Sequence, residues 1–120
     1  MKNILIIEDS MSIAMTLEMM LTGEGYKTML AYEIGKALEL AKTANPDLII
    51  LDINIPGGGG LLIAEELTKS EEAKKVPIIV FTAVSMDEAK EKTMMANVKH
   101  YVSKPDTDTL ISYVNELLAE

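Results

Sequence analysis

Leu48-Ile49-Ile50-Leu51-Asp52-Ile53-Asn54 is the stretch that decides the fold. Four apolar residues run without a polar break and stop on an acid. A strand with one wet face alternates apolar and polar residues. A continuous run is the mark of a parallel strand covered on both faces by helices. The pattern recurs along the chain. Ile4-Leu5-Ile6-Ile7 stops on Glu8-Asp9, and Ile78-Ile79-Val80-Phe81 stops on Thr82-Ala83. Lys27-Thr28-Met29-Leu30-Ala31 is more mixed and suits a sheet edge. The fifth run is Tyr101-Val102, followed by Ser103-Lys104-Pro105.

Helical spacing fills the gaps between these runs. Ile13, Leu17, Met20 and Leu21 share one stripe, as do Ile34, Ala37, Leu38 and Ala41. Leu110, Ile111, Val114, Leu117 and Leu118 form another near the C-terminus. Ser85 followed by Glu88 is a capping box that opens the fourth helix. Asn97 is expected to close it in the left-handed conformation. Five β-α units joined by right-handed crossovers make an α/β domain with helices on both faces of a parallel sheet.

Composition narrows the function. The chain has 120 residues, which predicts one domain over 1–120. It carries 11 Lys+Arg, all of them lysine, against 19 Asp+Glu, a net charge of −8. Nucleic-acid binding needs clustered cations, so none is expected. The absence of cysteine excludes disulfides, thiolate nucleophiles and cysteine metal sites, and fits a reducing, cytoplasmic setting. No apolar run reaches the ~18 residues of a membrane span, and the N-terminus does not read as a signal peptide.

In an open α/β sheet, ligands bind beyond the carboxyl ends of the strands. There stand Glu8 and Asp9, Asp52, Thr82 and Lys104. Carboxylates at close range repel by about 4 kcal/mol per pair at ~4 Å and an effective dielectric of about 20, so their gathering points to a cation. Hard oxygen donors suit Mg²⁺ or Ca²⁺ rather than zinc. Thr82 and Lys104 supply a donor and a point charge for a phosphoryl group. A carboxylate beside a metal is a competent nucleophile for an aspartyl phosphate.

Four motifs stand in order at the strand ends. They are Ile6-Ile7-Glu8-Asp9-Ser10; Asp52-Ile53-Asn54-Ile55-Pro56-Gly57 with Gly60; Phe81-Thr82-Ala83; and Tyr101-Val102-Ser103-Lys104-Pro105. With them the chain resembles, over essentially its whole length, the receiver domain of two-component response regulators, in the style of the stand-alone chemotaxis regulator. The resemblance implies a flavodoxin-like doubly wound fold with strand order 2-1-3-4-5. It implies Asp52 as phosphoacceptor. Mg²⁺ would be held by Asp9, Asp52 and the backbone carbonyl of Asn54, with Glu8 acting through water. Thr82 and Lys104 would bind the phosphoryl group, and Ala83 would leave it room. The Lys104–Pro105 peptide would be cis, and Tyr101 would turn inward as Thr82 moves. The implied partners are a sensor histidine kinase or histidine phosphotransfer protein, and a downstream protein met by the fourth helix, fifth strand and fifth helix. Glu8 departs from the commoner Asp by one methylene. Val84 is apolar where some relatives carry Glu or Lys.

Plainer readings stand beside these. Asp9 or Ser10 could simply cap the first helix, and Tyr101 could be half-buried packing. The run Gly57-Gly58-Gly59-Gly60 lacks the Lys-Ser/Thr of a phosphate loop and reads as a turn needing positive φ at one or two positions. His100, the one imidazole, has no second histidine to work with. Met15 and Met19 leave the apolar stripe of the first helix and could meet a histidine-bearing partner. The rivals are a phosphate-independent binding module, a haloacid-type phosphatase, which wants an acid where Asn54 stands, and a flavin carrier. The chain ends soon after its last apolar stripe. It is expected to be a stand-alone regulator or a receiver excised from a larger protein.

Overall fold

The computed structural model describes residues 1–55, 59–94 and 96–119; Gly60 and Leu61 are described by their backbone alone. The elements run β1 (Asn3–Ile7), α1 (Met11–Gly23), β2 (Lys27–Ala31), α2 (Ile34–Thr43), β3 (Leu48–Leu51), α3 (Gly59–Leu67), a 3₁₀ turn (Ala73–Lys75), β4 (Ile78–Thr82), α4 (Met86–Thr93), β5 (Val98–Ser103) and α5 (Thr107–Leu118). All strand pairs are parallel and the order is β2-β1-β3-β4-β5. This is the doubly wound arrangement expected from the sequence. Among the described residues no helix is long and apolar enough to cross a membrane.

The continuous apolar runs explain themselves here. Successive residues of a strand point to opposite faces, so each central strand feeds two cores. Leu5, Ile7, Ile49, Leu51 and Val80 pack with Ala37 and Ala41 of α2, Ile63 and Leu67 of α3 and Ala89 of α4. Ile4, Ile6, Leu48, Ile50, Ile79 and Phe81 pack with Leu17 and Leu21 of α1 and Leu110, Val114 and Leu118 of α5. β2 lies at one edge, as its mixed composition predicts, and only Ala31 in it is fully buried.

Two local expectations need correction. β5 begins at Val98 rather than Tyr101. Its polar first half hides it, and the pairing jumps from Ile78–Val98 to Ile79–His100, leaving Lys99 as the extra residue of a bulge. Asn97 does not close α4 in a left-handed conformation. α4 ends at Thr93, and among the described non-glycine residues the positive φ falls on Asn45, at 49°. Asn97 instead joins β4, with its side-chain amide donating to the Lys75 carbonyl and its own carbonyl accepting from Ile78 N–H.

Pro56, Gly57 and Gly58 lie outside the described residues. Gly59 does take a positive φ of 62°, and a Cβ there would stand 2.7 Å from the Ile53 carbonyl oxygen, so only glycine fits. This seats the start of α3 directly against the loop that leaves Asp52.

Candidate functional site

β1, β3, β4 and β5 end side by side, which brings residues far apart in sequence to one edge. Glu8 follows β1, Asp52 follows β3, Thr82 closes β4 and Lys104 follows β5. Glu8, Asp52 and Thr82 are buried, at 2%, 5% and 0% exposure, and Lys104 keeps 15% of its side chain exposed. Asp9 is exposed at the rim. Ser10 caps α1 by accepting from Ile13 N–H at 3.4 Å, so α1 starts immediately behind the acids.

Asp52 is the hub. Its Oδ1 accepts from Asn54 N–H at 3.0 Å and from the Thr82 hydroxyl at 3.1 Å. Its Oδ2 accepts from Lys104 Nζ at 2.8 Å. The same ammonium reaches Glu8 Oε1 at 2.5 Å, and Glu8 Oε2 accepts from Ser10 N–H at 3.1 Å. Thr82 Oγ1 also accepts from Val84 N–H at 3.4 Å. Lys104 is tied down at its backbone, where its N–H donates to the Thr82 carbonyl at 2.9 Å, and its peptide bond to Pro105 is cis.

Charge balance follows from these contacts. Burial pushes the Glu8 carboxyl above its ordinary 4.5. The Asp52 charge adds to this, and the bonds from Lys104 and Ser10 oppose it without cancelling it. Burial works to lower the Lys104 ammonium, but its bonds to Asp52 and Glu8 and their charges prevail and hold it above 10.5. Lys104 therefore stays charged and offsets part of the repulsion among the acids. The sequence shows the acids converging but not that a lysine of the same chain bridges two of them.

Glu8, Asp9 and Asp52 each offer a carboxylate oxygen, and these oxygens lie within 4.8 Å of one another. The donor set is all oxygen, which fits a hard divalent cation. Both Glu8 oxygens already hold a protein donor, whereas no such bond engages Asp9 among the described residues. Asn54 and Ala83 are exposed beside the acids.

Tyr101 lies apart from this cluster. It is half-buried against the α2–α4 core, and its hydroxyl sits 2.8 Å from Thr93 Oγ1. Lys90 Nζ stands 5.9 Å from its ring centre. Thr93 escapes a reading of motifs. Its one signal is a hydroxyl four residues after Ala89, on the inner side of an otherwise polar helix. His100 stacks on Tyr113 at 3.7 Å and meets Glu116 at 3.2 Å, away from the strand-end acids. Met15 and Met19 are 52% and 74% exposed on α1.

Residues 4–115 match the family model described as the response regulator receiver domain. Protein PilH of Pseudomonas aeruginosa is 32% identical over 120 residues, covering 99% of both chains. The response regulator protein TrrA of Thermotoga maritima, solved in complex with Mg²⁺-BeF, matches with a TM-score of 0.86 at 36% identity, over 98% of this chain and 100% of that one. The chemotaxis protein CheY4 of Vibrio cholerae matches with a TM-score of 0.90 at 27% identity, over 98% and 99%.

Proposed function

The chain belongs to the receiver domains of two-component response regulators, and we propose that it takes a phosphoryl group from a phosphohistidine onto Asp52 and signals the change to a partner protein. Residues 1–120 act as a single receiver unit. One observation supports this above the others. A buried carboxylate at the end of the central strand holds a hydroxyl at 3.1 Å and an ammonium at 2.8 Å, with two further acids alongside.

In this reading an Asp52 oxygen attacks phosphorus in line. The new bond is O–P, the bond broken is N–P, and the electron pair leaves with the imidazole nitrogen of the donor. The chain supplies positioning and charge, which is most of what phosphoryl transfer requires. Lys104 moves its ammonium from the carboxylate to a phosphoryl oxygen. Thr82, already on Asp52 Oδ1, transfers its hydrogen bond to another. The exposed small side chain of Ala83 leaves space. Asp9, Asp52 and the Asn54 carbonyl would hold Mg²⁺, with Glu8 acting through water. When bound, that ion neutralises carboxylate and phosphoryl charge.

The protein thus promotes its own phosphorylation and dephosphorylation and turns over no separate substrate. The donor is a sensor histidine kinase or histidine phosphotransfer protein, which we place against Met15 and Met19. The output face is α4, β5 and α5, and the setting is cytoplasmic. Incubation with acetyl phosphate and Mg²⁺, followed by intact-mass measurement, tests this. One phosphoryl addition is expected in the wild type and none in Asp52→Asn or without metal. If the wild type gains no mass and also fails to bind beryllofluoride, the chain is a phosphate-independent module.

A further inference from the structure

Four polar side chains are buried among the described residues: Glu8, Asp52, Thr82 and Thr93. The first three form the strand-end site. Thr93 is fully buried at the last residue of α4, and the chemistry proposed above gives it no task.

Its hydrogen bonds have a fixed direction. Thr93 Oγ1 lies 2.7 Å from the Ala89 carbonyl, which can only accept, so the single hydroxyl hydrogen of Thr93 is spent there. The 2.8 Å contact with Tyr101 must then run the other way, with the tyrosine hydroxyl donating to Thr93. The result is a chain from Tyr101 O–H to Thr93 Oγ1 and from Thr93 O–H to the Ala89 carbonyl. It joins the middle of β5 to the last turn of α4. Lys90, on the same helix, lies over the tyrosine ring at 5.9 Å and adds a weaker hold. If Tyr101 turned out to solvent its hydroxyl would find water, but the buried Thr93 oxygen would lose the one donor it has among the described residues.

We infer that Thr93 is the positioning residue that keeps Tyr101 against α4, and that through it the rotamer of Tyr101, the end of α4 and the state of Asp52 are linked. The last part of this rests on the phosphoacceptor reading. In the structure Thr82 bonds Asp52 while Tyr101 bonds Thr93. A neutral hydrogen bond of this kind biases an equilibrium by about two- to tenfold. That is enough to set a rotamer preference and small enough to be overridden by a partner.

The test uses the full chain as Thr93→Val, which keeps the branched shape and removes the acceptor, and Thr93→Ser, which keeps the hydroxyl. Cooperative melting of each establishes that it folds. The three-bond couplings that report χ1 of Tyr101, assigned by their loss in Tyr101→Phe, are then measured without any phosphoryl donor. The population of the second rotamer should rise about two- to tenfold in Thr93→Val and return in Thr93→Ser. Couplings unchanged in Thr93→Val, or equally changed in both variants, would overturn the role of Thr93. Titration with beryllofluoride and Mg²⁺ reads the link to Asp52, and Thr93→Val should bind about two- to tenfold more weakly than wild type. Equal affinities would overturn that link. A wild type that binds no beryllofluoride would instead refute the phosphoacceptor reading, while the couplings still decide the role of Thr93.

Discussion

Two neighbouring residues of β5, Tyr101 and Val102, face opposite sides of the sheet and are held in opposite ways. Val102 is buried against the large aliphatic side chains of α5, with Leu110, Val114 and Leu118 closing over the sheet. Tyr101 faces α4, an eight-residue helix whose buried side chains are Ala89 and Thr93. One side is anchored by large apolar side chains, the other by a hydrogen bond and a core in which α4 contributes only small side chains. Apolar burial is worth about 1.5–3 kcal/mol per large side chain and has no direction. A hydrogen bond is worth about 1 kcal/mol net and can be exchanged. The fold is thus firm on the α5 side and adjustable on the α4 side, and Lys104 follows the strand that divides them.

The largest expected effect breaks the firm side. Leu110→Ala removes a fully buried side chain and should cost about 2–5 kcal/mol in denaturant unfolding. A loss below about 1 kcal/mol, no greater than that of a neutral hydrogen bond, would erase the contrast with α4.

Next comes the acidic end of the sheet. Mg²⁺ at about 100 times its Kd should stabilise the wild type by about 2.7 kcal/mol, a rise in Tm on the order of 10 °C. Asp52→Asn should melt above the wild type without metal and gain less than half as much from it. Equal metal responses, followed by thermal unfolding, would remove Asp52 from the metal site.

A smaller effect comes from Glu8, whose carboxyl is held above 4.5 in the fold. Below that pH it is protonated whether the chain is folded or not, and its contribution to stability is fully present. As pH rises through the raised native value, the folded state must ionise a carboxyl that burial disfavours, and that contribution is lost. Glu8→Gln does not titrate. Its Tm advantage over the wild type in metal-free buffer should therefore widen between about pH 4 and about pH 7. A constant difference would contradict the assignment.

The smallest stability effect lies on the outer surface of α1. Met15→Lys with Met19→Lys should change stability by less than about 1 kcal/mol and leave phosphorylation by acetyl phosphate intact. It should slow transfer from a phosphohistidine protein, and unchanged transfer would place the partner elsewhere.

Most of the fold is legible in the sequence because its three central strands are buried on both faces and their apolar runs are too short to be helices. The acids, Thr82 and Lys104 are legible because each stands where an apolar run stops. What escapes is held by local polarity. Val98-Lys99-His100 reads as loop because an edge strand with a bulge needs no apolar pattern. Asn97 resembles a helix terminator, yet its amide serves β4 instead. Thr93 is invisible because its meaning depends on Tyr101, eight residues away on another element. The bridge from Lys104 to Glu8 is likewise a matter of reach across four strands, which spacing along the chain does not encode.

Chemical trapping locates the phosphoryl group on the chain. The protein is treated with acetyl phosphate and Mg²⁺, the acyl phosphate is reduced with borohydride, and the digested peptides are sequenced by mass spectrometry. Reduction of an aspartyl phosphate leaves homoserine, which is expected at position 52 alone. Homoserine at position 9, or a phosphoryl group on a serine or threonine with position 52 unmodified, would contradict it.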